Sequence, residues 1–177
     1  MIFKITELEG AFIIEPEKIE DQRGFFARGY CDKEFDAYGL NSKWVQCNIS
    51  FNKIRSTLRG MHYQSKPHRE VKLVRCTAGA IYDVIIDLRP DSLTYKKWTA
   101  AELTSENHKM LYVPKGFAHG YQTLTENSEV FYFVSEFYAP GFEQGIRWDD
   151  PHIGITWPEP APSVISDKDK HWPDYFY

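Results

Sequence analysis

One stretch decides how the chain is interpreted: residues 58–76 read LRGMHYQSKPHREVKLVRC. An apolar run at each end has the length and the β-branched content of a strand, and a short basic segment separates the two. The runs carry Arg59, His62 and Lys72, which are an anion-binding group, a potential base and a potential electrophile. Because each of these groups is costly to bury without a partner, their presence on adjacent strands indicates a polar pocket.

Outside this stretch, short apolar runs recur and are separated by turn-forming residues. Strands at such regular spacing are typical of an antiparallel sandwich or barrel, so we predict an all-β fold. Aromatic residues make up 16% of the chain, and they suit the half-buried face of a sheet. The predicted strands are Ile2–Leu8, Ala11–Glu15, Val45–Ser50, Thr57–Tyr63, Val71–Cys76, Ala80–Leu88, Lys97–Leu103, Lys109–Val113, Gly120–Leu124 and Glu129–Ser135.

Two segments depart from the strand pattern. Cys31–Tyr38 is the best helix candidate, and Gly39 is expected to end it. The segment Tyr138–Trp157 is dense in Pro, Gly and Trp and is expected to fold over the barrel as ordered loops. No linker or repeat divides the 177 residues, so we predict a single domain over 1–177 with an N-terminal strand extension and a C-terminal loop segment.

Charge and cysteine content exclude several classes of function. A net charge of −4 and a pI of about 5.9 argue against a general affinity for nucleic acid or anionic membranes. The three cysteines, Cys31, Cys47 and Cys76, lack the spacing of a zinc or CxxC motif. We therefore expect each of them to be a small side chain packed in or near the core. The first residues alternate like a strand and do not resemble a signal peptide, which predicts a cytoplasmic protein.

The run Ala80–Leu88 carries two acids within an apolar strand. Alternation places Asp83 and Asp87 on one face together with Ile81 and Ile85. We expect Asp87, at the strand end, to be solvated. Asp83 lies in mid-strand and needs a hydrogen-bonding partner, for which His62 is the candidate.

Several segments spread along the chain carry distinctive polar and aromatic residues. In addition to Tyr132, they are DQRGFF (21–26), QCNISF (46–51), LRGMHYQ (58–64), KLVRC (72–76), PKGFAHGYQ (114–122), YAPGFEQGIRWDDPHIGITWP (138–158) and SDKD (166–169). Taken together, these segments closely resemble the dTDP-4-dehydrorhamnose 3,5-epimerase family of nucleotide-sugar enzymes, which serve polysaccharide biosynthesis. The resemblance implies a cupin-like double-stranded β-helix that acts as a homodimer with strand exchange, and without a metal or other cofactor.

The resemblance also implies catalytic roles for five residues. His62 matches the base that removes a proton next to the sugar ketone, and imidazole titrates in the range that this step needs. Asp169 matches the carboxylate that pairs with the base, and Asp83 lies near it. Lys72 matches the ammonium that faces the 4-keto oxygen and stabilises the enolate. Tyr132 matches the acid that returns a proton from the opposite face of the ring.

A further set matches substrate contacts in the family, where the residue equivalent to Arg23 reaches the site from the partner subunit. Arginines and amides suit the diphosphate and the sugar, whereas aromatic side chains suit the base. The residues are Arg23, Phe26, Gln46, Asn48, Arg59, His119, Tyr138, Glu143 and Lys168. Arg28 stands where the family usually has an acid that binds thymine, and Phe133 stands where a lysine often follows the tyrosine. Since a cation cannot accept a hydrogen bond from the base, Arg28 leaves the nucleotide open.

Three alternatives remain open. The first is an epimerase that inverts only C3 or only C5 of a GDP- or CDP-linked 4-keto hexose or heptose. The second is a metal-dependent cupin, in which His62, Glu70 and His119 would form a facial triad. The third is a sugar-binding cupin without activity. The main prediction is an isomerase that converts dTDP-4-dehydro-6-deoxyglucose to dTDP-4-dehydrorhamnose.

Overall fold

The computed structural model describes residues 1–175; the last two residues of the predicted domain, 176 and 177, lie outside the described part. The strands are β1 Ile2–Ile5, β2 Phe12–Glu15, β3 Ile19–Asp21, β4 Gly24–Phe26, β5 Gln46–Asn52, β6 Thr57–Gln64, β7 Lys72–Ala78, β8 Ala80–Asp87, β9 Trp98–Thr104, β10 Met110–Val113, β11 Phe117–Thr123, β12 Ser128–Val134, β13 Glu143–Gly145 and β14 Val164–Ile165. The helices are α1 Asp32–Ala37 and α2 Asp167–Lys170. Across residues 1–175, neither helix has the length and apolar content needed to cross a bilayer.

Two sheets form the body of the protein. One has the strand order β1-β2-β10-β7-β12-β5. The other has the order β13-β6-β11-β8-β9, with β14 added to β6 in parallel. The remaining pairs within these two sheets are antiparallel, and β3 and β4 form a separate hairpin. The predicted all-β double-stranded β-helix, the cupin-like jelly roll, is confirmed.

The core lies between the sheets because alternate side chains of both point inward. Val74 of β7 and Val130 of β12 pack there against Ile81 and Ile85 of β8, and all four are fully buried. Each such side chain contributes roughly 1.5–3 kcal/mol on burial. Two further apolar layers cover the outer faces: Phe35 of α1 lies on the first sheet, and Trp157 of the tail lies on the second.

The strand β8 confirms the predicted alternation but not the predicted exposure of its last acid. Ile81 and Ile85 face the central core, whereas Val84 and Ile86 face the outer layer. The expectation that Asp87 is solvated is wrong, because its side chain is fully buried and bound by Arg89, Ser92 and Thr94. The loop after β8 folds back over the carboxylate. Burial would raise the pKa of Asp87, but these hydrogen bonds outweigh it and lower the pKa.

Other local predictions have mixed outcomes. The predicted helix is confirmed as α1, and Gly39, with a φ of +68°, follows its C-cap. Cys76 is buried, but Cys47 is exposed, so the expected place of the cysteines near the core is wrong for Cys47. The tail is more regular than predicted, since part of it pairs with β6 as β13.

Candidate active site

A cleft of about 410 Å³ opens where β5 and β12 of the first sheet meet β6 and β13 of the second. His62 of β6, Lys72 of β7 and Tyr132 of β12 line it. The same three side chains also line an adjoining cavity of about 200 Å³ that Arg59 and His119 share. The base, the ammonium and the phenol that the sequence singled out therefore border one common space.

His62 and Asp169 form a short polar contact at the cleft wall. The Nε2 atom of His62 lies 2.6 Å from Oδ1 of Asp169, and Asp169 is only 4% exposed. The backbone N–H of Gly60 donates to the other carboxylate oxygen, at 3.3 Å. Burial would raise the pKa of Asp169, but His62 and the Gly60 N–H lower it further than burial raises it. A carboxylate held ionised in this way fixes the imidazole and stabilises its protonated form.

The cap of the short helix α2 and Trp172, two residues after the helix, hold Asp169 in place. Ser166 caps the helix, since its hydroxyl accepts from the N–H of Asp169 at 3.1 Å. The indole N–H of Trp172 donates to Oδ1 of Asp169, at 3.3 Å. Gly145 of β13 allows this packing, because a Cβ there would overlap the Trp172 ring. Sequence reasoning missed both Ser166 and Trp172; the Ser-x-x-Asp spacing was the available signal for the cap.

Lys72 is anchored by an acid that sequence reasoning considered only as a metal ligand. Its Nζ lies 3.2 Å from Oε1 of Glu70, and the two side chains are 12% and 13% exposed. The other oxygen of Glu70 accepts from Nε2 of Gln64, at 3.2 Å. Alternation places Glu70 on the same side of the chain as Lys72, which was the signal that could have identified it.

Tyr132 presents a protonated phenol to the cleft. Burial raises the pKa of its hydroxyl above the ordinary value, and the nearby Glu70 carboxylate acts in the same direction. Asn48 and Arg59 act in the opposite direction but do not cancel these effects. A phenol that stays protonated at neutral pH can donate a proton.

Asp83 binds a different histidine from the one predicted. Its Oδ1 lies 2.7 Å from Nε2 of His119, so the expectation that His62 is its partner is wrong. The register explains the difference: Asp83 stands opposite Tyr121 of β11, and His119 is the diagonal neighbour on the same face. Asp169 already occupies the Nε2 side of His62.

The remaining predicted contacts divide into two groups. Around the cleft, Gln46 donates to Asn48 at 2.7 Å and Tyr138 donates to Glu143 at 3.3 Å, so these predicted contacts pair with one another. Arg59 instead donates to Asn52, at 2.7 Å. Lys168 also binds Glu143, where the cleft meets a cavity next to Asp169.

The second group lies away from the cleft of this chain. Arg23 is bound to Asp21 in the exposed β3–β4 hairpin. Phe26 and Arg28 line a separate cavity beside the amino terminus, where Arg28 pairs with Glu34 at 2.5 Å.

The residues of the alternative facial triad have other partners. Glu70 binds Lys72, His62 binds Asp169 and His119 binds Asp83. Within residues 1–175, the side chains close enough together to share a metal ion are those of Asp150, His152 and Asp174 in the tail, whose potential ligand atoms lie within 4.8 Å of one another. The triad of the metal-dependent alternative is therefore not assembled in this arrangement.

Comparison with known proteins gives a consistent result. A sequence model described as dTDP-4-dehydrorhamnose 3,5-epimerase matches residues 5–176. A dTDP-4-dehydrorhamnose 3,5-epimerase of Methanothermobacter thermautotrophicus is 44% identical over 170 residues, 94% of this chain and 90% of the relative. The crystal structure of that enzyme from Elizabethkingia anophelis aligns with a TM-score of 0.95 at 39% identity, covering 99% of this chain and 96% of the other. The enzyme from Bacillus anthracis, solved with TDP and PPi bound, aligns at 0.94 and 40% identity, covering 98% and 99%.

Proposed function

The chain belongs to the dTDP-4-dehydrorhamnose 3,5-epimerase family, and from this premise we propose that it inverts C3 and C5 of dTDP-4-dehydro-6-deoxyglucose. Membership confirms the resemblance seen in the sequence and the predicted class of enzyme, a carbohydrate epimerase. One observation carries the proposed chemistry: His62, Lys72 and Tyr132 border the same cleft.

In the proposed mechanism, His62 removes the proton from the carbon next to the ketone. Asp169 orients the imidazole and balances the charge that it gains. The electron pair left on the carbon moves to the ketone oxygen, where the Lys72 ammonium stabilises the enolate. Tyr132 then donates its proton to the other face of the carbon, which produces inversion.

The nucleotide contacts are part of the proposal. Arg59 and His119 line the cavity next to His62, the proposed catalytic base, and suit the diphosphate. Gln46 and Asn48 offer amides at the cleft wall. Tyr138 offers an exposed ring on which a nucleobase can stack. The TDP in the Bacillus anthracis relative favours thymidine over guanosine or cytidine.

We also propose a cytoplasmic homodimer in which the partner's hairpin completes the site. The hairpin carries Phe26 and Ile19, which are 72% and 69% exposed, an unusual state for large apolar side chains unless a partner covers them. Within the described residues 1–175, Arg23, at the turn of the same hairpin, is bound to Asp21. Light scattering coupled to gel filtration checks the assembly, and a monomer at micromolar concentration would contradict it.

The function is tested by incubating the protein with dTDP-, GDP- and CDP-linked 4-keto-6-deoxy sugars in heavy water. We expect NMR to show deuterium at both C3 and C5 of the dTDP sugar, together with the inverted product. Deuterium at one carbon only would identify a monoepimerase. No exchange with any of the three sugars would contradict the proposal, and exchange confined to GDP or CDP sugars would correct the nucleotide.

The variant Tyr132→Phe separates the two proton transfers. Because His62 and Lys72 remain, we expect deuterium incorporation to continue, whereas inversion should fall by about 10² or more, the usual effect of general acid catalysis. The same NMR assay reports both quantities. Normal inversion by this variant would assign the proton donor to another group.

A further inference from the structure

Glu70 is a carboxylate in the cleft wall that the proposed proton transfers leave without a role. It lies just before β7, lines the cleft and is only 13% exposed in its side chain. A charged group at this depth is costly unless both oxygens are bound. One oxygen meets Lys72 and the other meets Gln64, each at 3.2 Å.

Gln64 makes Glu70 a fixed anchor. The side chain of Gln64 is buried, and its carbonyl accepts from the N–H of Ala139, at 2.8 Å. Its Nε2 also donates to the carbonyls of His68 and Phe137, both at 3.2 Å. The amide is therefore tied to the backbone on either side of Tyr138 as well as to Glu70. A lysine side chain has considerable rotamer freedom, and this network removes part of it.

We propose that Glu70 is a positioning residue, which holds the Lys72 ammonium against the cleft so that it faces the developing enolate oxygen. The inference rests on the proposed function, because it deepens the role of Lys72 there. Glu70 itself exchanges no proton with the substrate. Its effect comes from the geometry of the charge-assisted contact and from the Gln64 anchor behind it.

The carboxylate has a second, measurable effect on Tyr132. Glu70 raises the pKa of the Tyr132 phenol, after burial as the largest cause, so its removal lowers that pKa. The other acidic and basic groups bordering the two cavities are Arg59 and His62 from β6, Lys72 from β7, His119 from β11, Glu136 after β12 and Glu143 from β13. The uncharged but titratable Tyr63, Tyr121 and Tyr138 complete the set. These groups are unchanged in a Glu70 variant, so a shift between variants reports Glu70.

The test compares Glu70→Gln with the native protein in the heavy-water assay. The amide keeps the shape and the contact with Gln64 but loses the charge. We expect the exchange rate to fall between about 10-fold and 100-fold with KM changed less than about threefold, as for a misplaced catalytic group. We also expect the alkaline limb of the pH profile of kcat for inversion to move to lower pH, because the pKa of Tyr132 falls when Glu70 loses its charge. Glu15→Gln is the matched control, since Glu15 pairs with Lys4 and Lys109 away from the cleft.

A double-mutant cycle with Lys72→Met decides whether Glu70 acts through Lys72. If it does, Glu70→Gln causes no further loss of exchange when Lys72 is already replaced. An equal loss in both backgrounds, or a loss below about threefold in the single variant, overturns the inference. Should Glu70→Gln not fold, Glu70→Asp replaces it. This variant keeps the charge, so the alkaline limb should remain at the native pH, whereas the shorter side chain should slow exchange. Absence of exchange in the native protein would instead reject the proposed function.

Discussion

At the scale of single residues, the proposed base depends on a partner 107 residues further along the chain. His62 and Asp169 meet because α2 follows β14, and β14 pairs with the start of β6, the strand that carries the histidine. The contact is partly open, since the His62 side chain is 31% exposed while that of Asp169 is 5% exposed. The imidazole therefore reaches the cleft, and the carboxylate behind it is shielded from water.

Replacing His62 by Asn tests the base directly. The amide retains a hydrogen bond to Asp169 but cannot accept a proton, so we expect turnover to fall by about 10² to 10⁴ with little change in substrate binding. Single-turnover kinetics and calorimetric titration measure the two quantities. His152→Asn serves as the control, because His152 contacts Asp150 in the tail and does not line the cleft. Turnover near the native value would remove His62 from the mechanism.

At the scale of secondary structure, a bulge in β6 explains how Arg59 and His62 come to share a cavity. Strict alternation would place residues three apart on opposite faces. The pairing with β11 shifts between His119 and Tyr121, so Gly60 and Met61 together oppose Gly120. Because of this extra residue, the side chain of Arg59 lies on the same face of the sheet as that of His62. Both side chains line the 200 Å³ cavity.

Gly120 is required for this bulge, because the chains approach too closely for a side chain. A Cβ at this position would lie 2.6 Å from Sδ of Met61 and 2.7 Å from the carbonyl oxygen of Arg59. We expect Gly120→Ala to lower the free energy of unfolding by roughly 1–3 kcal/mol, the usual effect of overpacking. Urea unfolding followed by tryptophan fluorescence measures it.

The matched control for this substitution is Gly29→Ala, where a Cβ would meet Arg75 at an ordinary 3.6 Å. We expect that variant to unfold almost as the native protein does. Equal stability of the two alanine variants would show that the strands can separate to accept a methyl group, and the bulge would then not depend on glycine.

The bulge also marks the limit of prediction from sequence. The strands of the barrel and α1 were predictable because alternation and turn residues are local signals, as in β8. Asp169 was assigned to His62 only through the resemblance, since no local signal joins positions so far apart. The partner of Asp83 was predicted wrongly because it depends on the register of β8 and β11. Register and bulges arise from tertiary pairing, which the periodicity of one strand does not report.

At the scale of the whole molecule, several buried carboxylates depend on being ionised. Burial would raise the pKa of Asp87, Asp150 and Asp169, yet hydrogen bonds keep the pKa of each below its ordinary value. A carboxyl whose pKa is lower in the folded state contributes stability above its unfolded pKa of about 3.9. That contribution is lost as the pH falls through the folded pKa. We therefore expect the free energy of unfolding to decrease as the pH falls below about 4.

Asp87→Asn isolates one of these contributions. Asp87 is fully buried and bound by Arg89, so we expect the substitution to cost about 3 kcal/mol at pH 7. Because the native protein loses the same contribution in acid, the difference between native and variant should narrow below about pH 4. Glu159→Gln is the control: Glu159 also binds an arginine, Arg55, but both side chains are exposed and lie outside the hairpin. Exposed pairs contribute little, so this variant should follow the native curve. A constant difference between Asp87→Asn and the native protein from pH 7 to pH 3 would contradict the assignment of acid sensitivity to this carboxylate.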